Sequence, residues 1–238
     1  MCGRYAAATT AADWVEEFEV TDSPDRVLAP DFNVAPTKEA FLVTAAPVDG
    51  EPARRMEIAR WGLIPSWAKE ASIASKLTNA RVETITEKPS FRSAFAKRRC
   101  LVPADGYYEW YRPEKGAKQP FYIHRTDGRS LAMAGLYEWW RDPATPEAEP
   151  RLTFTVITTA ATPELAVIHD RMPVMIDQAD WTEWLDPAVP GKELPPPMLE
   201  AGYRLGLVAE PVSVAVGNVR NNGPSLIVPI TPDEGLLF

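Results

Sequence analysis

The sequence predicts an α+β fold: one domain whose mixed, largely antiparallel β-sheet curls into a pseudo-barrel, with helices at its periphery. Strand-like apolar segments outnumber helical ones, and most are joined by tight turns. The 24 prolines fall mostly between apolar stretches, which implies many irregular connections rather than long helices. A chain of 238 residues with 45% hydrophobic content can bury one sizeable core.

The elements follow in order. Thr10 starts a short helix, with Asp13 three residues on as its capping-box partner and Trp14, Val15 and Phe18 as its apolar face. Residues 40–45 and 55–61 read as strands, and 89–97 as a helix with Phe91 and Phe95 on one face. Strands are expected at 99–102, 107–111, 121–124, 131–140 and 152–158, with turns at Lys115-Gly116 and Thr126-Asp127-Gly128. Short helices are expected at 163–168 and 179–185, and the alternation of Val212, Val214 and Val216 reads as a late strand. The whole chain, 1–238, reads as one domain with surface insertions at 142–150 and 186–197, the second carrying Pro195-Pro196-Pro197.

Composition removes several classes of function. No run approaches the length of apolar sequence that spans a bilayer, so no membrane partner is expected. The first 20 residues carry Asp13, Glu16, Glu17 and Glu19 and no apolar secretory core, and Cys2 and Cys100 make no disulfide framework; both point to the cytoplasm. With those two cysteines, two histidines (His124 and His169) and no paired ligand spacing, no metal site is expected. Net charge of −8 argues against indiscriminate coating of nucleic acid. Residues 76–100 nevertheless hold seven basic side chains against Glu83 and Glu87, a pattern that fits a localised anion-binding groove or a solvated helix face.

Cys2 is the most informative residue. Removal of Met1 would leave a 1,2-aminothiol, with an α-amine of pKa about 7.7–8.0 next to a thiol near about 8.5. Such a group forms an imine with an aldehyde and closes through sulfur to a thiazolidine. The bland alternative is a residue that merely follows the start.

Blocks along the chain resemble the SRAP (SOS response-associated peptidase) family: Met1-Cys2-Gly3-Arg4, Asn33-Val34-Ala35-Pro36-Thr37, and Trp61-Gly62-Leu63-Ile64-Pro65-Ser66-Trp67. They continue in family order with Asn79-Ala80-Arg81-Val82-Glu83-Thr84, Arg98-Arg99-Cys100-Leu101-Val102-Pro103, Gly106-Tyr107-Tyr108-Glu109-Trp110 and His169-Asp170-Arg171-Met172-Pro173, and end with Val216-Gly217-Asn218-Val219-Arg220-Asn221. The resemblance implies a sensor that binds single-stranded DNA and crosslinks Cys2 to the opened aldehyde of an abasic site. It implies no cofactor, a monomer that joins the nucleoid when bound to DNA, and (auto)peptidase or lyase activity directed at Met1 or the adduct. It assigns Cys2, Asn79, Glu109 and His169 to catalysis, and Arg4, Trp67, Arg81 and Arg171 to DNA.

The chemistry of those residues fits. An apolar strand setting raises a carboxyl pKa toward neutrality, which suits Glu109 to proton transfer; the alternative is a strand glutamate facing solvent. Asn79 can orient an amine without competing as a nucleophile, or cap a loop. His169 can donate to a sugar oxygen or phosphate, or be structural; His124 reads as structural. Trp67 ends a Pro-bounded loop where an indole can stack on a base, whereas Trp61 reads as core. Ala68 stands where many relatives carry a second aromatic, which shrinks the expected platform. Two other readings stay open: an N-terminal-nucleophile cysteine hydrolase or amidotransferase, which also begins Met-Cys-Gly, and a non-catalytic single-strand binder, which leaves Cys2 and Glu109 idle.

Overall fold

The computed structural model describes residues 2–45, 51, 53–114, 116–199 and 205–231. The first third of the chain forms β1 (Tyr5–Ala7), α1 (Ala11–Glu17), β2 (Asp31–Val34), β3 (Glu39–Ala45), β4 (Arg54–Trp61) and β5 (Asn79–Arg81). The middle forms α2 (Arg92–Lys97), β6 (Arg99–Ala104), β7 (Gly106–Tyr111), β8 (Gln119–Arg125), β9 (Leu131–Trp140) and β10 (Arg151–Ala160). The rest forms α3 (Pro163–Ala166), β11 (Arg171–Pro173), α4 (Trp181–Leu185), α5 (Pro196–Leu199) and β12 (Leu207–Pro211).

The run Leu-Thr-Phe-Thr-Val-Ile-Thr-Thr makes β10 the axis of the fold. Its residues 152–159 are buried on both faces, the condition under which a strand reads as nearly continuous β-branched and apolar sequence. On one edge its first half pairs in parallel with β4 (Phe154 opposite Trp61) and its second half with β5 (Val156 opposite Asn79). On the other edge it pairs antiparallel with β9 and then β11. Because β4, β3, β6 and β9 are joined antiparallel in that order, β10 closes a five-strand barrel. Gly62 permits the exchange from β4 to β5. Its φ of +117° turns the chain out of the strand, and a Cβ there would stand 2.9 Å from the Ala74 carbonyl oxygen.

A second sheet, ordered β12-β8-β7-β1-β2, is antiparallel throughout and packs on the barrel. Tyr5, Trp61, Val102, Tyr107, Ile123, Phe154 and both cysteines form the apolar layer between them. A separate cluster under the helices holds Trp14, Phe18, Phe95, Trp181 and Trp184. The Thr10 cap forms as expected, its hydroxyl oxygen accepting the Asp13 N–H at 3.2 Å.

Three expectations change. Val212, Val214 and Val216 do not form a strand. The chain turns at Ser213, whose Oγ accepts the Ala215 N–H at 3.2 Å, and 214–217 is a 3-10 turn that buries Val212 and Val216 and exposes Val214. The strand lies earlier, at β12. The segment 142–150 is an exposed connection, but 186–197 is tied into the core through Leu194 and through the carbonyls of Asp186 and Val189. The basic stretch 76–100 is also divided. Arg99 is buried, Arg98 pairs with Glu138 at 2.7 Å, and only Lys76, Arg81, Lys88, Arg92 and Lys97 stand exposed. Lys115, half of the first expected turn, lies outside the described residues; the second turn joins β8 to β9, with Gly128 at φ +73°.

Arg99 donates to the carbonyl oxygens of Trp184 (2.6 Å), Phe95 (2.9 Å), Ala96 (3.0 Å), Asp186 (2.6 Å) and Val189 (2.9 Å), binding α2, β6 and the chain around α4 into one unit. Replacing it strands buried acceptors at about 1–3 kcal/mol each where they find no substitute. Arg99→Ala is therefore expected to lower stability in urea by about 3–5 kcal/mol, with Arg99→Lys recovering less than half because an ammonium has fewer, unforked donors. A loss below about 1 kcal/mol contradicts this role.

Candidate active site

β1 has no sequence periodicity of its own; the sheet makes it a strand. Tyr5 pairs with Tyr107, and the Tyr108 N–H donates to the Arg4 carbonyl at 2.9 Å, so the chain entering β1 runs antiparallel past Glu109. Cys2 is fully buried in the layer between sheet and barrel. Burial pushes its thiol up strongly, the negative charge of Glu109 adds to that, and the Arg4 backbone N–H aimed at the sulfur opposes both. The sulfur is thus a neutral thiol that needs a base in order to attack.

Glu109 is the candidate base. It is 4% exposed, and burial raises its carboxyl, with the nearby His169 among the influences that oppose the rise. The solvent-facing reading of Glu109 is excluded. Tyr107 and Tyr5 share the layer, their phenols pushed well up by burial and then by the Cys2 sulfur.

His169 follows α3. Its Nδ1 accepts the Arg171 backbone N–H at 2.9 Å and lies 3.0 Å from Asp170 Oδ1. One ring nitrogen cannot accept from an N–H and donate to a carboxylate together. An Nδ1 that accepts the Arg171 N–H leaves the ring proton on Nε2 and makes Nε2 a donor, whereas an Nδ1 that donates to Asp170 does not. Asn79 stands at the start of β5, its Nδ2 donating to the Thr78 carbonyl at 2.7 Å. The same carbonyl accepts Trp61 Nε1 at 2.8 Å, and the Trp61 ring lies 5.2 Å from that of Tyr5. Trp61, fully buried, therefore ties the Asn79 strand to β1.

The expected DNA-contacting residues differ in how committed they are. Arg81 is exposed at the end of β5. Arg171 makes a two-pronged pair with Glu83 and donates from Nη2 to the Thr158 carbonyl at 2.7 Å. Arg4 donates from Nη1 to Asn33 Oδ1 (2.6 Å) and to the Val216 carbonyl (2.7 Å), and its guanidinium lies 5.8 Å from the Trp110 ring centroid. Trp67 is 58% exposed. Its loop is pinned on both sides: the Ile64 N–H donates to Thr153 Oγ1 at 3.0 Å and Trp140 Nε1 donates to the Ala68 carbonyl at 2.7 Å. Ala68 is buried against Trp140, so the position after Trp67 faces inward here.

His124 bridges β8 and β12 through Glu210 at 2.9 Å. A cavity of about 590 Å³ beside it, lined by Asp105, Tyr122 and Arg125 among others, contains none of the candidate residues. Among the described residues no group of three His, Cys, Asp or Glu side chains is placed to hold a metal, and no helix is long and apolar enough to cross a membrane. Sequence reasoning missed Glu83, which clamps Arg171, as a site-building group, and Glu138, which pairs with Arg98, as a structural one. Their signal was an acid inside a basic or aromatic stretch.

A carboxyl with a raised folded pKa binds its proton more tightly folded than unfolded. Stability therefore falls as pH rises from the unfolded value through the folded one. Glu109→Gln, which cannot ionise, is expected to be more stable than the wild type at pH 8 and indistinguishable below about pH 4 in urea denaturation. A variant less stable than wild type at pH 8 would show that the carboxylate is compensated in the fold.

The abasic site processing protein YoqW of Bacillus subtilis is 37% identical over 228 residues, covering 95% of this chain and 99% of the relative. The abasic site processing protein YedK of Escherichia coli is 32% identical over 240 residues, covering 97% and 100%. Among solved structures, a crystal structure of a Bacteroides thetaiotaomicron protein superimposes with a TM-score of 0.84 at 26% identity, covering 97% of this chain and all of that one. The SOS response associated peptidase (SRAP) family model matches residues 1–219, and the chain belongs to that family.

Proposed function

We propose that this protein recognises abasic sites in single-stranded DNA and captures them as a thiazolidine on Cys2. The observation that carries the reading is the burial of both Cys2, at the entry to β1, and Glu109 within electrostatic reach of it, in a family whose named relatives process abasic sites.

Removal of Met1 frees the Cys2 α-amine. His169 hydrogen-bonds from Nε2 to the ring oxygen of the closed sugar; the 1′-hydroxyl gives its proton to solvent water as the ring oxygen takes one from it, so the hemiacetal isomerises to an aldehyde and a 4′-hydroxyl with the imidazole unchanged. The amine adds to the aldehyde carbon, with the Asn79 amide orienting it. Protonated Glu109 gives its proton to the carbinolamine hydroxyl, and water leaves to form an iminium. The resulting carboxylate takes the Cys2 proton, and sulfur closes on the same carbon. Aldehyde, amine and thiol have become a thiazolidine and one water, and Glu109 is again protonated. A raised carboxyl pKa serves both halves of that cycle.

Single strands are the favoured partner, since the lesion must leave the stack to reach a buried sulfur and unstacking costs least without a complementary strand. Exposed Trp67 offers a base-stacking face, and Arg81 reaches a flanking phosphate. Arg4 and Arg171 meet the backbone through donors not already committed to Asn33, Val216, Thr158 and Glu83.

Two outcomes follow. On a single-stranded oligonucleotide with one abasic site, the wild type is expected to give a heat-stable adduct on a denaturing gel, and Cys2→Ala or Met1-retaining protein none. Glu109→Gln should slow adduct formation by about 10²–10⁴-fold at saturating DNA. Undiminished adduct from Cys2→Ala sinks the thiazolidine. In binding assays, Trp67→Ala should cost about 1–3 kcal/mol. Arg81→Ala should weaken binding at all sequences alike and reduce the salt slope by about 1. Equal affinity for intact duplex at every salt concentration points to another ligand.

A further inference from the structure

Glu83 belongs to none of the steps above, yet it lies between two of the site's parts. It follows the Asn79 strand, and its carboxylate receives both Nη atoms of Arg171 from the chain that leaves His169. Arg171 is also held by its Nη2 donation to the Thr158 carbonyl at 2.7 Å and by the pairing of β11 with β10, Ala160 opposite Arg171. The Arg171 backbone N–H lies 2.9 Å from His169 Nδ1, and an Nδ1 that accepts it leaves the ring proton on Nε2. Resting on the crosslinking role of this site, we propose that Glu83 is a positioning residue: by clamping Arg171 it fixes the backbone N–H that makes His169 an Nε2 donor.

The competing state is visible in the same geometry. Asp170 Oδ1 lies 3.0 Å from Nδ1, and Glu109 lies within electrostatic range of the ring. If the Arg171 N–H moves off, Nδ1 takes a proton and pairs with Asp170, and in the neutral ring Nε2 loses its own. His169 would then face the sugar oxygen as an acceptor, the wrong polarity for opening the hemiacetal. The Glu83 carboxylate is half exposed, 50% against 13% for the Arg171 side chain, so the pair acts through geometry more than through stabilisation of the fold. The fork matters for the same reason: two parallel hydrogen bonds fix an orientation that a single bond does not.

The test compares wild type with Glu83→Ala and Glu83→Gln, the latter keeping one acceptor in place. Rates are measured at saturating DNA with an abasic site, and again with a small, permanently open aldehyde. DNA affinity is measured in the Cys2→Ala background, where no adduct forms. Glu83→Ala is expected to slow capture of the abasic sugar by about 10-fold or more, the scale on which loss of an orienting partner acts. Capture of the open aldehyde should stay within about 2-fold of wild type, with Glu83→Gln intermediate on the sugar. Imidazole ¹⁵N NMR of the free protein should show His169 as the Nε2–H tautomer in wild type and a mixture in Glu83→Ala. Equal losses on both substrates, a loss lying wholly in DNA affinity, or no loss overturns the proposal. If wild type forms no adduct, the crosslinking role itself fails, and the NMR decides alone: an unchanged Nε2–H tautomer in Glu83→Ala rejects the clamp.

Discussion

The pairing of β1 with β7 is the constraint on which the site depends. Residues 2 and 109 are distant in the chain, and nothing in β1 itself, three residues with no apolar alternation, would hold it extended. It is a strand because β7 and β2 offer hydrogen-bonding edges on both sides. That register carries Cys2 into the apolar layer between sheet and barrel, next to a carboxyl that burial has made basic enough to move protons. The layer has two consequences that oppose one another. It withholds the thiolate by desolvation, and in the proposed mechanism it supplies the base that removes the thiol proton when an electrophile arrives.

The barrel supplies the remaining groups from the second half of one strand. Beyond Phe154, β10 releases β4 and takes up β5, and beyond Val156 it releases β9 and takes up β11. Asn79 and Arg81 come from one of those neighbours and Arg171 from the other, with His169 two residues ahead of it. These two exchanges, the first turned by Gly62, thus gather residues as far apart in the chain as Asn79 and Arg171. The proposed Glu83 clamp spans the two neighbours outside β10, so that they are joined by side chains as well as by the ladder.

Much of this was legible in the sequence where the chain enforces its own periodicity. The strands β3, β4 and β6 to β10 and the Thr10 cap follow from alternation, turn residues and capping chemistry. The strands β1, β2, β5 and β11 are three or four residues long and exist through partners distant in the sequence, so no local pattern announces them. The Val212–Val216 alternation misleads because valines two apart also suit a turn that Ser213 stabilises with its own hydroxyl. Arg99 was read as part of a surface basic stretch, although it is a core residue whose donors are taken up by five carbonyls of α2 and the chain around α4. Of the candidate site, Cys2, Glu109, Asn79 and His169 were named through motif blocks; the linkage of Asn79 through Trp61, the His169 tautomer and the commitments of Arg4 and Arg171 are properties of the folded chain alone.

Tandem mass spectrometry of the digested adduct tests the central claim, that an N-terminal Cys2 is the atom pair joined to the lesion. The protein is reacted with single-stranded DNA carrying one abasic site, treated with borohydride, and digested with protease and nuclease. The account predicts the sugar remnant on a peptide that begins at Cys2, with a mass unchanged by borohydride because a closed thiazolidine has no imine to reduce. The remnant on a lysine, on a peptide still bearing Met1, or heavier by a pair of hydrogens after borohydride contradicts it.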